Sequence, residues 1–200
     1  MQNLAFKKYA AELLGTFGLS FAVALSVSGM FPVPTPVIAG LTLGLFVYTI
    51  GHISGAHLNP AVTIGAWSLG KIRMRDASFY IAAQFVGGGL AYILSRTLII
   101  PIRVPIADTV WVGIAEMIGA FFFTFGIAAV IYGKVPSLVS GIVIGGSLVL
   151  GISLAAPLSN GILNPAVALG IGSFSLLYLI SPIIGSILGM QVFAWLSGEK

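Results

Sequence analysis

"GHISGAHLNPAVTIG", residues 51–65, places two histidines, an asparagine and a proline between two segments apolar enough to cross a membrane. About a hundred residues later "NGILNPAVALG", 160–170, repeats the same Asn-Pro-Ala-Val. Asparagine is a strong helix N-cap and proline is favoured at the first helical position, so each Asn-Pro reads as a helix start. The apolar stretches that follow, 59–69 and 164–173, are too short to span a bilayer, because a spanning helix needs about 20 residues. Each is therefore a half-helix. The backbone leading into it is irregular, and at membrane depth such backbone survives only if it is buried in protein or lines a wet cavity.

Working outward from these motifs, the rest of the chain is dominated by apolar runs. Of 200 residues 58% are hydrophobic and 7% charged, and mean hydropathy is +1.10. Soluble domains carry about 25% charged residues, so this is an all-α membrane protein. Six spans are expected at 6–30, 36–54, 77–100, 109–132, 137–156 and 175–196. No cysteine is present, which excludes disulfide and thiol chemistry. The net charge of +4 is read as topology and not as nucleic-acid binding. No signal-peptide cleavage pattern precedes the first span, so the N-terminus is expected to be retained.

The two motifs belong to a longer repeat. "AAELLGTFG" (10–18) resembles "IAEMIGAFF" (114–122), which aligns Glu12 with Glu116 at an offset of 104. Asn59 aligns with Asn164 at an offset of 105. "GLTLG" (40–44) matches "GIVIG" (141–145), and "QFVGG" (84–88) weakly matches "PIIGS" (182–186). Residues 1–103 and 104–200 thus each hold three spans and one half-helix. Three is odd, so the second half must enter the membrane inverted. Inverted repeats with broken helices at matching positions point to a transport site near the midplane. With the N-terminus inside, the inner segments hold Lys7, Lys8, Lys71, Arg73, Arg75, Lys134 and Lys200, and the outer segments only Arg96 and Arg103. That asymmetry follows the positive-inside rule and puts both termini in the cytoplasm.

The paired "SGAHLNPAVTIG" (54–65) and "LNPAVALG" (163–170) in a three-plus-three repeat resemble the aquaporin, or major intrinsic protein, family over nearly the whole chain. The resemblance implies a six-helix bundle whose half-helices meet head to head. It implies a pore in each subunit, a homotetramer and residence in the plasma membrane. It assigns Asn59, Pro60, Ala61, Asn164, Pro165 and Ala166 to the pore centre. The backbone carbonyls of Gly55, Ala56, His57 and Leu58, and of Asn160, Gly161 and Ile162, would form an acceptor ladder. No cofactor and no metal are implied; the partners are water or small neutral solutes and the lipid bilayer.

The physics of that centre can be stated. If Asn59 and Asn164 cap their helices, each side-chain oxygen is occupied by backbone N–H groups. The amide NH₂ donors are then expected to be free to face the pore. A permeating water that accepts from both must point its own hydrogens away, which interrupts a proton-conducting chain. Two half-helix N-termini also bring positive partial charge, about +0.5 each, to the midplane and disfavour cations. Glu12 and Glu116 lie inside spans, where an ionisable residue is a functional suspect. Their matched positions point instead to accepting hydrogen bonds from the half-helix loops. His57 reads as a residue fixing that loop, and His52 as a residue packing at the end of its helix. Two histidines five apart without nearby Cys, Asp or Glu make a poor metal site. The glycines at 15, 40, 44, 87–89, 119, 141, 145, 185 and 189 read as close-packing positions between helices.

The chain departs from the family at its outer filter. Most members carry Arg directly after the second motif, where this chain has Val167; glycerol-conducting members usually follow that Arg with Asp, where this chain has Ala168. Ungapped alignment puts the remaining filter positions at Ala39, Ile152 and Gly161. A ring of Ala39, Ile152, Gly161 and Val167 has no charge, aromatic or polar side chain and is expected to be wide and apolar. Phe46 or Tyr48 are the residues left to narrow the pore. The expected function is a passive channel for water or small uncharged solutes such as glycerol, urea or ammonia, excluding protons and ions. A secondary transporter also uses broken helices, but it would carry a coupling carboxylate or substrate-binding charge near the breaks, and neither half-helix has one. An enzyme needs a nucleophile–base pair or a metal cluster. Ser54 beside His57 is the one candidate pair, and the second motif has Asn160-Gly161-Ile162-Leu163 in its place. No enzymatic activity is expected.

Overall fold

The computed structural model describes residues 2–98, 104 and 108–199. Arg103, Lys200 and the 99–100 end of the third expected span lie outside the described residues. Among the described residues eight α-helices follow one another: α1 Gln2–Val27, α2 Thr35–Ser54, α3 Pro60–Ser68, α4 Met74–Leu98, α5 Val110–Ile131, α6 Ser140–Ala155, α7 Pro165–Ile171 and α8 Leu176–Leu196. A 3₁₀ turn, Ser137–Val139, leads into α6. Among the described residues six of these segments are long and apolar enough to cross a membrane. The remaining two, α3 and α7, are the short Asn-Pro helices, of nine and seven residues.

Boundaries differ from the apolar runs where backbone geometry overrides hydropathy. The first span stops at Val27 and not at residue 30, because Gly29 takes a left-handed φ of 77° and the Met30 N–H folds back onto the Leu25 carbonyl. α7 stops at Ile171 because Gly172, at φ 75°, returns its N–H to Leu169. α4 starts at Met74, three residues before the expected 77.

Packing repeats in two matched sets. α1 packs on α2 and α4, and α5 packs on α6 and α8. Each half-helix crosses to the other half: α3 lies on α8 and α7 on α4, while α2 meets α6 between the halves. The α2–α6 crossing brings backbones together. A Cβ on Gly44 would meet the Gly141 carbonyl oxygen at 2.7 Å, and one on Gly141 would meet the Gly44 oxygen at 2.6 Å. Gly40 and Gly145 face each other in the same way. Gly88 and Gly185 likewise lie against the carbonyls of Ala166 and Met117. Gly89 is different: nothing lies within 4 Å of its added Cβ, so it is not a packing position.

The burial pattern is that of a bundle in lipid. Leu41, Leu45, Ile142, Leu150 and Trp195 are exposed, while Glu12, Gln84, Glu116 and Thr124 are fully buried. Buried polar groups on the bundle axis, with apolar residues outside, are what a hydrocarbon solvent requires. Four cationic residues gather at one end of the bundle, while Arg96 stands in the last turn of α4, 4.6 Å from the Tyr92 ring centroid. Lys8, Lys71 and Arg73 line a single cleft, Lys71 Nζ sits 4.1 Å from the Tyr132 ring centroid, and Lys134 pairs with Glu199 at 2.7 Å.

Candidate functional site

The two half-helix loops have the same unusual backbone. Ala56 and Leu58 take φ of 49°, and at matching places Gly161 takes 60° and Leu163 55°. A left-handed leucine is strained by about 1–3 kcal/mol and persists only where surroundings fix it. Here buried carboxylates do so. Glu12 Oε1 accepts from Ser54 Oγ at 2.6 Å and from the His57 N–H at 3.0 Å. Its Oε2 accepts from the Leu58 N–H at 2.7 Å and from Gln84 Nε2 at 2.8 Å. Glu116 accepts from Ser159 Oγ at 2.8 Å and from the N–H groups of Ile162 and Leu163 at 2.9 and 2.7 Å. Four donors converge on Glu12, which suits the acceptor-only carboxylate.

Tyrosines from the last span of each half pin the same loops. Tyr80 Oη donates to the Ser54 carbonyl at 2.7 Å, and Tyr178 Oη accepts from the Asn160 N–H at 3.0 Å. Sequence reasoning missed both, together with Gln84. A signal was available: extending the "QFVGG"/"PIIGS" match four residues upstream aligns Tyr80 with Tyr178.

The asparagines cap as their position requires. Asn59 Oδ1 accepts from the Ala61 N–H at 2.8 Å. Asn164 Oδ1 accepts from those of Ala166 and Val167 at 3.0 and 3.3 Å. The amide donors differ from expectation. Asn59 Nδ2 donates to the Leu163 carbonyl, and Asn164 Nδ2 to the Leu58 carbonyl, both at 2.9 Å. One hydrogen of each amide is therefore committed across the centre, locking the two loops together, and one is left. The Leu58 carbonyl, expected in the acceptor ladder, is the acceptor of that cross-bond.

Two cavities flank this centre. The one at the expected outer filter, about 220 Å³, is lined by Ala39, Ile152, Gly161 and Val167 together with Asn59, Asn164, His57, Asn160 and Ile162. The inner one, about 480 Å³, is lined by Gly55, Ala56, His57, Val47, Val62 and Ile144, with Lys71 and His52 at its basic end. Sequence reasoning missed the apolar walls: Leu19, Leu43, Leu148 and the aromatic Phe123 line the outer cavity and Ile127 the inner. Phe46 and Tyr48 do neither. Phe46 lies over Gly18 of α1, and Tyr48 Oη donates to the Leu138 carbonyl at 3.0 Å on the exposed α2–α6 face. A helix with no polar stripe does not reveal in sequence which face it turns inward.

Ser54 and His57 do not form a nucleophile–base pair. Ser54 Oγ bonds Glu12, and His57 Nδ1 bonds Thr63 Oγ1 at 3.1 Å. Among the described residues no group of three His, Cys, Asp or Glu could hold a metal ion.

The arrangement matches known proteins over nearly its whole length. Residues 2–193 match the family model described as major intrinsic protein. Aquaporin NIP1-2 of Arabidopsis thaliana is 31% identical, over 94% of this chain and 73% of its own. Nodulin-26 of Glycine max is 33% identical over 94% and 76%. Aquaporin Z of Bradyrhizobium diazoefficiens is 32% identical over 96% and 94%. Among solved structures the aquaglyceroporin from Plasmodium falciparum superposes with a TM-score of 0.73 at 22% identity, covering 96% of this chain and 94% of that one.

Proposed function

The chain belongs to the major intrinsic protein family and is a passive membrane channel for water or small uncharged solutes; from that premise we propose that its pore is permissive, passing neutral solutes larger than water with water among them. One observation carries the reading. Ala39, Ile152, Gly161 and Val167, from α2, α6, the second loop and α7, line one cavity with both asparagines, and none brings charge, ring or polar side chain. An arginine at Val167 would repel cations and replace lost hydration for water or polyols. Valine does neither, and each uncompensated polar group costs about 1–3 kcal/mol by mutational measures. A narrow apolar ring would dewet and close. Ala39 and Gly161 contribute almost no bulk, which favours a ring wide enough to stay wet.

Proton and cation exclusion then rests on the centre. Asn59 and Asn164 each keep one amide hydrogen for a permeating oxygen, and the N-termini of α3 and α7 carry positive partial charge there. The carbonyls of Gly55, Ala56 and His57, and of Asn160, Gly161 and Ile162, form the acceptor path on the two sides. Glu12 and Glu116 hold the loops and take no part in proton relay. The two halves, 1–103 and 104–200, are inverted copies of one unit. The excess of Lys8, Lys71, Arg73 and Lys134 at one end over Arg96 at the far end of α4 supports cytoplasmic termini under the positive-inside rule. A homotetramer in the plasma membrane completes the reading.

Stopped-flow light scattering of the purified protein in liposomes, against water, glycerol, urea and ammonia gradients, tests it. Flux of glycerol or urea well above empty vesicles and linear in the gradient is expected. Passage of water alone would overturn the permissive pore, and saturable, slow flux would favour a carrier.

A further inference from the structure

We infer that the narrowest point of the conduit is set by Leu43 opposite His57, on the inner side of the paired asparagines, and that Leu43 determines the size of solute admitted. This deepens the channel reading and rests on the two cavities forming one path. Among the described residues, Leu43 and His57 are the ones that line both cavities. Asn59 and Asn164 line only the outer one. The break between the cavities therefore falls on the far side of the asparagine pair from the ring at Ala39 and Val167. Successive turns of α2 agree with this: Ala39 faces the outer cavity, Val47 the inner, and Leu43 between them faces both.

The repeat supplies an internal control. The match of 40–44 with 141–145 puts Leu43 on Ile144, which lines the inner cavity alone; at the asparagine offset of 105 Leu43 falls on Leu148 and His57 on Ile162. Leu148 and Ile162 line the outer cavity alone, with no break between them. The difference lies in what fixes the loop side chain. His57 Nδ1 is bonded to Thr63 Oγ1 at 3.1 Å, Thr63 accepts from Gln84 Nε2 at 2.9 Å, and the Tyr80 ring stands edge-on to the imidazole with centroids 5.3 Å apart. The counterpart of Thr63 is Ala168, which has no hydroxyl to hold a side chain at this level. A pinned imidazole thus forms one wall of the neck and buried Leu43, 2% exposed, the other. One wall donates or accepts a hydrogen bond and the other offers none, so a solute passes only if it fits past the leucine methyls.

The test compares Leu43→Ala, the milder Leu43→Val, Leu43→Phe and Leu148→Ala by stopped-flow in liposomes against water, glycerol and a five-carbon polyol. Leu43→Ala is expected to raise polyol permeability relative to water several-fold, Leu43→Val in the same direction by less, and Leu43→Phe to lower glycerol flux. Leu148→Ala is expected to shift the ratio less than Leu43→Ala. An unchanged ratio in both shortened Leu43 variants, or an equal shift from Leu148→Ala, would overturn the neck. A parent protein that passes water alone would overturn the permissive pore instead; polyol entry through Leu43→Ala would then still support the neck, and its absence would refute it.

Discussion

Replacing Glu12 with alanine removes the acceptor for four donors at a site fully closed to solvent. The four are not equally stranded. Gln84 Nε2 keeps Thr63 Oγ1 at 2.9 Å, and the Ser54 hydroxyl can rotate toward another acceptor. The N–H groups of His57 and Leu58 cannot turn without unwinding the loop. A buried donor left unpaired costs about 1–3 kcal/mol, so the two amides alone amount to about 2–6 kcal/mol. On the scale for chains of 150–250 residues this lowers the midpoint of thermal unfolding by roughly 4–24 °C. The effect reaches the pore, because the Leu58 carbonyl that holds Asn164 hangs on the same loop. Thermal unfolding in detergent and water flux in liposomes read both consequences. Gln84→Ala, which removes one of the four donors and leaves both loop amides paired, is expected to cost less than half as much. A Glu12→Ala protein that melts within about 2 °C of the parent and conducts normally would refute the loop-anchor reasoning.

Asn59→Asp and Asn164→Asp each place a carboxylate against a helix N-terminus and delete the Nδ2 bond to the opposite carbonyl. Proton leak, read with a pH-sensitive dye under a valinomycin-clamped potential and expected to be negligible in the parent, is expected to rise together with cation leak; unchanged leak in the folded variants would count against the midplane barrier. Val167→Arg puts a guanidinium into the outer cavity of about 220 Å³ and is expected to cut glycerol and urea permeability more than water permeability. Unchanged or increased solute permeability would remove Val167 from the conduit wall. Gly88→Ala drives a methyl into the Ala166 carbonyl beside the second motif and is expected to lower both stability and flux. Its neighbour Gly89→Ala meets nothing within 4 Å and is expected to stabilise the helix by about 0.5–1 kcal/mol; calorimetric or fluorescence melting of the pair separates the two.

What the sequence by itself determined was everything governed by local rules. Apolar length placed six spans, and Asn-Pro started α3 at Pro60 and α7 at Pro165, because capping geometry depends on a few adjacent residues. The matched Glu12 and Glu116 were legible as loop acceptors because a buried acid in hydrocarbon must find donors and the repeat supplied the same ones twice. Only the tertiary structure decided which face each helix turns inward. No polar stripe marks one face of α2, so nothing local separates Leu43, which lines both cavities, from Phe46 against Gly18 or Tyr48 against Leu138. Nor does local preference foresee left-handed Leu58 and Leu163, whose strain is held by carboxylates 46 and 47 residues away in sequence. The asparagine cross-bonds span 104 and 106 residues, and they take hydrogens that the isolated motif would leave free. Such contacts belong to the meeting of two halves of the chain, and a side chain's partner across that meeting is fixed by packing, not by its neighbours in sequence.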